Sequence, residues 1–182
     1  MSGHNKWSKI KRKKGSEDAK KSKEFSRFAQ LITVEVKKAG GDASSPGVRQ
    51  VIDRAKAANM PNENIERAIA RGTGDGDSVA LQEFTYEAYG PGGTALLITG
   101  ITDNNNRTSN EIKHLLSKSG AKWANPGSVL WAIEKKDGEW SPQEYSAIEL
   151  SESDTEALYK LMDIIDDHDD VGDVYANNKE SE

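Results

Sequence analysis

An α+β fold is predicted for this 182-residue chain: a basic tail and three-helix bundle over residues 1–72, a linker over 73–79, and an α+β, ferredoxin-like sandwich over 80–182. Three observations carry the prediction. Apolar residues recur at helical spacing as far as Gly72. A run of glycines and aspartates then interrupts the pattern, and beyond it alternating and continuous apolar stretches appear, separated by further helical ones. Their irregular order fits helices packed on one face of a sheet better than a regular βαβ array.

Taken in order, residues 6–23 hold nine Lys+Arg and two acidic residues. In the first fourteen positions beyond Met1, only Trp7 and Ile10 carry apolar weight, too little to fold alone. Closely spaced cations displace counterions from a phosphate backbone. Lys6, Lys9, Lys11, Arg12, Lys13, Lys14, Lys20, Lys21 and Lys23 are therefore candidate phosphate contacts. Trp7 is a candidate for stacking on a base, and His4 and Asn5 for donating to phosphate or sugar. The plainer reading is a solubilising tail with Trp7 tucked against the body.

Phe25, Phe28, Ala29, Ile32 and Val36 form one stripe of a helix over 17–39, which Gly40-Gly41 stops. Ser45-Pro46 opens a second helix with Val48, Val51, Ile52 and Ala55 inward. Asn59-Met60-Pro61 breaks it and starts a third, with Ile65, Ala68 and Ile69 inward and Gly72 as its end. That break is a poor match to a DNA-reading helix-turn-helix. Asp75 and Asp77 lack calcium-loop spacing and read as part of a hydrated hinge.

The second part centres on Ala95-Leu96-Leu97-Ile98, apolar enough for a strand buried on both faces. Gly90-Pro91-Gly92-Gly93 before it marks a reversal from a strand holding Phe84, Tyr86 and Ala88. After it, Asp103, Asn104, Asn105, Asn106 and Arg107 read as a polar display loop, with Thr108 opening a helix and Glu111 completing a capping box. The bland alternative is a simple turn. That helix buries Ile112, Leu115 and Leu116. Further strands are expected at Val129, Trp131 and Ile133, at 145–150 and at 171–176, with a helix over 154–167.

The formal net charge of −5 conceals a division. Residues 1–71 hold 17 Lys+Arg against 8 Asp+Glu, a net of +9, and residues 72–182 hold 8 against 22, a net of −14. A basic front that meets a polyanion and an acidic rear that does not is the expected consequence. No cysteine is present, which removes disulfides, thiol nucleophiles and cysteine-bound zinc. Without a signal-peptide core or a membrane-spanning run, a soluble cytoplasmic protein is expected. Asp166, Asp167, Asp169 and Asp170 around His168 read as a solvated turn, with no metal or other cofactor. No nucleophile–base pair stands out, so catalysis is not expected.

The stretches SGHNKWSKIKRKK, AKAANMPNENIERAIARGTG, YEAYGPGG, TDNNNRT and PGSVLWAIEKK resemble the signatures of the YebC/PmpR family across most of residues 2–136. The resemblance implies a nucleic-acid-binding regulator of gene expression. Members are described as transcriptional regulators, mitochondrial relatives as translational activators, and some bacterial members as ribosome-associated factors easing synthesis through proline-rich stretches. It also implies an N-terminal helical domain, a central α+β domain and a third domain inserted within the central one. Here Ile133-Glu134-Lys135-Lys136 leads almost directly to the closing elements, so a two-domain variant without the insert is expected. Ala88 and Asn105 depart from the family's glycine and arginine. Ribosomal RNA is the expected partner, DNA the alternative, and a protein partner on the acidic face from residue 149 a third reading. No membrane is expected as a partner.

Overall fold

The structure, a computed structural model, describes residues 17–74, 81–136 and 138–179, with the side chains of residues 17–20 outside the description. The tail residues His4 to Lys14, the Lys20 side chain, Asp75, Asp77 and most of the linker thus lie outside the described residues. The described part divides into two compact units that meet in sequence at Gln82 and Glu83.

The first unit is three helices: α1 (Glu17–Lys38), α2 (Pro46–Ala57) and α3 (Asn62–Thr73). Ile32 and Val36 of α1 pack with Val48, Val51 and Ala55 of α2 and with Ile65 and Ala68 of α3. The helical stripe thus faces inward, with Phe25, Phe28 and Ala29 at its half-buried end. Gly40 and Gly41 take φ of 66° and 90°, letting their amides close onto the carbonyls of Lys37 and Val36. Ser45 caps α2 by accepting from the Val48 amide at 3.4 Å. The break before α3 is a left-handed Asn59, φ 62°, with the Met60 amide returning to the Ala55 carbonyl. Gly72 does not end α3 but lies within it. A Cβ there would stand 2.6 Å from the Val36 Cβ, so α1 and α3 approach where glycine leaves room.

The second unit is built on β1 (Gln82–Tyr89), β2 (Ala95–Thr102), α4 (Asn105–Lys118), β3 (Lys122–Ala124), β4 (Ile133–Lys136), β5 (Glu139–Pro142), α5 (Glu152–Asp166) and β6 (Val171–Ala176). One sheet has the order β3-β1-β2-β6, with β3 antiparallel to β1 and β6 to β2. The α+β class is as expected, with both helices on one face. With the separate β4–β5 hairpin set aside, this sheet and its two helices run ββαβαβ along the chain, where a ferredoxin-like unit runs βαββαβ. Leu96 and Ile98 of β2 face Ile112 and Leu116 of α4 and Leu158, Leu161 and Ile165 of α5. Ala95 and Leu97, pointing the other way, are covered by Val129, Ala132 and Ile133. This double covering is why β2 is apolar on both faces.

Three strand expectations change. Val129, Trp131 and Ile133 do not share a strand: residues 126–132 form turns, Val129 is buried, Trp131 is half exposed, and only Ile133 enters β4. Residues 145–150 form a short 3₁₀ turn and a single bridge from Ile148 to Asn178. The Ser146 hydroxyl bonds to loop carbonyls there, so alternation finds no strand partner. The hairpin β4–β5, pairing Lys136 with Glu139, occupies what reads in sequence as a plain connection.

Candidate functional site

The polar end of β2 is the most organised cluster in the second unit, though its form differs from a display loop. Asn105 to Thr108 are helical, and the helix is capped by Asn104, whose side chain accepts from the Arg107 amide at 3.1 Å. Asparagine satisfies the first free amides as well as threonine would, and it stands four residues earlier. The expected Thr108–Glu111 capping box is thereby replaced.

Thr108 instead turns inward, fully buried, into a relay. The Asn104 amide donates to Thr102 Oγ1 at 2.9 Å, the two threonine hydroxyls lie 2.8 Å apart, and Thr108 Oγ1 donates to Asp170 Oδ2 at 2.6 Å. Each hydroxyl has one proton, so this order satisfies every member. Arg107 donates to the same Asp170 oxygen at 2.7 Å, bonds Asp103 at 2.8 Å and stands 3.8 Å from Glu111. Tyr86 donates its hydroxyl to the Asn105 side chain, joining the sheet to the first turn of α4. Gly100, at a bulge in the β2–β6 register, lets the Asp170 backbone approach, since a Cβ there would collide with the Asp170 carbonyl and the Phe84 ring.

The electrostatics follow from this packing. Burial works against ionising Asp170, but hydrogen bonds from Thr108 and Arg107, with the Arg107 charge, outweigh it and hold the carboxyl below its ordinary range. The bond to Asp170, reinforced by its charge, holds the Arg107 guanidinium above its usual value. Burial, then the Asp170 charge, raises Tyr86. Arg107 is thus not a free cation for phosphate; it locks α4 to the turn before β6. Asp103 and Asn106 stay accessible, while Asn104 and Asn105 are engaged in the cap and with Tyr86.

The acidic turn around His168 is also more than a solvated one. Asp166 and Asp170 are buried, and only Asp167 and Asp169 are exposed. Beside it lies a cleft of 810 Å³ lined in part by Asn110, Glu111, His114, Leu115 and His168. Ligand atoms of Glu111, His168 and Asp170 lie within 4.8 Å of one another. Their bonding does not suit a metal. His168 Nδ1 accepts the Asp170 amide at 3.1 Å, which puts the ring proton on Nε2, where it is donated to Glu111 at 2.8 Å. Asp170 already serves Arg107 and Thr108. Sequence reading missed Asp170 as a partner because it lies 63 residues from Arg107; its place in the run of aspartates around His168 was the only signal.

Of the predicted phosphate contacts within the described side chains, Lys21 is exposed on α1 and Lys23 is half buried. Arg49, Arg54, Lys56 and Arg71 are further exposed cations of the helical unit, and Arg67 is engaged by Glu63 and Asn64.

Two family models match this chain in succession. Residues 5–75 match the TACO1/YebC protein N-terminal domain, and residues 81–138 match the TACO1/YebC second and third domain. A "probable transcriptional regulatory protein" of Thermosipho africanus is 37% identical, over 97% of this chain and 93% of that protein. The chain belongs to the TACO1/YebC family. The alignment to that relative runs to 235 positions against the 182 residues here, so the relative carries an internal stretch that this chain lacks. The match to the second model stops at Gly138, in the β4–β5 turn. A protein of the same description from Petrotoga mobilis is 51% identical over 75% of this chain, which spans 55% of the length of that relative. A crystal structure of a conserved hypothetical protein of Aquifex aeolicus superposes with a TM-score of 0.80 at 26% identity, covering 91% of this chain and 93% of that one.

Proposed function

We propose that this member of the TACO1/YebC family is a non-enzymatic, nucleic-acid-binding regulator of gene expression. It acts in the cytoplasm on ribosomal RNA and eases elongation through difficult, proline-rich stretches. The observation that carries the reading is the charge division, +9 over residues 1–71 against −14 over the rest. The exposed cations Lys21, Arg49, Arg54, Lys56 and Arg71 support it by extending positive charge along the helical unit. In this reading Lys6 to Lys14, with Lys20, Lys21 and Lys23, grip phosphates, and His4, Asn5 and Trp7 add contacts to sugar and base. The first turn of α4 has no phosphate role, because its one cation is spent on Asp170, Asp103 and Glu111. Among the described residues, no helix is long and apolar enough to cross a membrane.

Co-sedimentation with ribosomes tests the reading. The chain should pellet with ribosomes at low salt and be released as salt rises, and a variant with Lys11, Arg12, Lys13 and Lys14 changed to glutamate should stay in the supernatant. Equal pelleting of that variant would overturn the proposal. The shared description of the relatives as probable transcriptional regulatory proteins favours DNA as the second reading. A preference of about 10³-fold or more for one duplex sequence over others would establish it.

A further inference from the structure

Charge within the second unit is itself unevenly spread. Residues 72–182 hold 8 Lys+Arg against 22 Asp+Glu, yet residues 104–133 hold 4 against 1: Arg107, Lys113, Lys118 and Lys122 against Glu111. The stretches on either side, 72–103 and 134–182, are left with 4 against 21. Two of the five charges in the middle stretch are already engaged. Arg107 is bound by Asp170 and Asp103, and Glu111 accepts from His168 at 2.8 Å. The ion pairs of the second unit fall at Arg107, His168 and Lys179, and among the described residues they take in none of Lys113, Lys118 and Lys122. All three lysines are exposed.

Folding gathers them at one edge. β3 is an outer strand of its sheet, and α4 packs beside it. Lys113 follows the buried Ile112, so it turns off the core toward β3, where its ammonium stands 4.7 Å from the centre of the Trp123 ring. Exposed Ser117, one turn on, shares that face of α4. Lys118 lies in the last turn of the helix. Gly120, at φ 72°, then turns the chain, and the Ala121 amide returns to the Leu116 carbonyl at 2.9 Å, which brings Lys122 directly into β3. Side chains alternate across a strand, so Lys122 and Trp123 point to opposite faces of β3 and the lysines straddle its edge. The half-buried Trp123 ring lies 4.9 Å from the Tyr86 ring, which orders it and the ammonium above it before anything binds.

The sign of the charge selects the occupant. Three ammonium groups with no free carboxylate among them, on a unit otherwise strongly acidic, leave a polyanion one favourable line of approach. Ammonium groups act as point charges on phosphate oxygens, whereas planar carboxylates are matched by arginine forks, and the one arginine of this stretch is spent. We propose that the α4–β3 edge is a second phosphate-contacting surface, separate from the basic tail, on which Lys113, Lys118 and Lys122 meet the backbone of the bound nucleic acid; the proposal rests on the nucleic-acid reading above.

The test titrates the full chain against deproteinised ribosomal RNA over a range of salt. Each phosphate contact contributes about 0.7–0.9 to the slope of log affinity against log salt. The triple variant Lys113→Gln, Lys118→Gln, Lys122→Gln should therefore lower that slope by about 2 and weaken binding roughly 10- to 100-fold at about 0.1 M salt. Lys135→Gln, Lys136→Gln, Lys160→Gln removes the same charge from β4 and α5 and should leave the slope unchanged, while arginine in place of Lys113, Lys118 and Lys122 should keep both slope and affinity. Unchanged slope and affinity in the first triple overturn the edge alone, as does an equal loss in the second, which would make the effect one of net charge. A loss in the arginine variant overturns it as well. If the first triple loses binding to polyglutamate but keeps it to RNA, the edge belongs to an acidic protein and the proposal falls. Failure of the wild type to bind ribosomal RNA at low salt overturns the functional reading with it.

Discussion

Replacing Asp170 with asparagine probes the keystone between α4 and β6 while keeping its shape. The wild-type carboxylate accepts from Arg107 at 2.7 Å and from Thr108 at 2.6 Å through one oxygen. Asparagine retains a single carbonyl oxygen, so it removes the charge on which both bonds draw. Breaking a fully buried ion pair from one side costs about 3–5 kcal/mol, and a hydrogen bond to a charged group contributes about 1.5–3 kcal/mol. Here the Arg107 side chain is 43% exposed and keeps Asp103 and Glu111, so water and the remaining acids recover part of the loss. The expected cost is about 2 kcal/mol, a fall in Tm of roughly 8–16 °C for the second unit. The pH dependence adds a second reading of the same bond. Asp170 titrates below the ordinary 3.8, so its contribution is complete above that value and is lost as pH falls through the lower folded-state value. Thermal unfolding followed by circular dichroism should show a wide gap between wild type and Asp170→Asn at neutral pH, closing as pH drops from about 5 toward 2. A gap under about 0.5 kcal/mol at neutral pH, or one that persists unchanged in acid, would refute the assignment of Asp170 as an ionised, paired group.

Two further substitutions test the remaining packing. Glu87→Gln puts an amide donor against one of the two backbone amides of Gly127 and Val129; it should cost about 2–3 kcal/mol and blunt the near-ultraviolet signal of Trp131, and an unaltered melt would show that the turn does not depend on the carboxylate. Gly72→Ala drives a methyl group to 2.6 Å from the Val36 Cβ and 3.0 Å from the Thr33 carbonyl; urea unfolding should show the helical unit weakened by about 1–3 kcal/mol, and a stabilised variant would mean that α1 and α3 have room to separate.

Features that depend on neighbours in sequence were legible from the amino acids alone. Ser45-Pro46 and Gly40-Gly41 act through bonds spanning a few residues, so they bound α1 and α2 wherever the chain goes. The stripe through Ile32 and Val36, the apolar run of β2, the charge division and the family motifs are likewise properties of order along the chain. Tertiary structure decided the rest, because a partner far away sets the energy. Thr108 is a plausible cap until Asp170, 62 residues on, takes its hydroxyl and Asn104 takes the cap. Arg107 reads as a cation for a ligand until three carboxylates surround it. Trp131 alternates with Val129 and Ile133 like a strand residue, yet the amides of Gly127 and Val129 just before it bond to Glu87 in a turn, and Trp131 is left half exposed. β3 and β4 are too short for a periodic signature and exist only because a neighbouring strand satisfies their amides. Local hydrogen bonding and periodicity are encoded along the chain, whereas the worth of a charge or a short strand depends on what folding brings beside it.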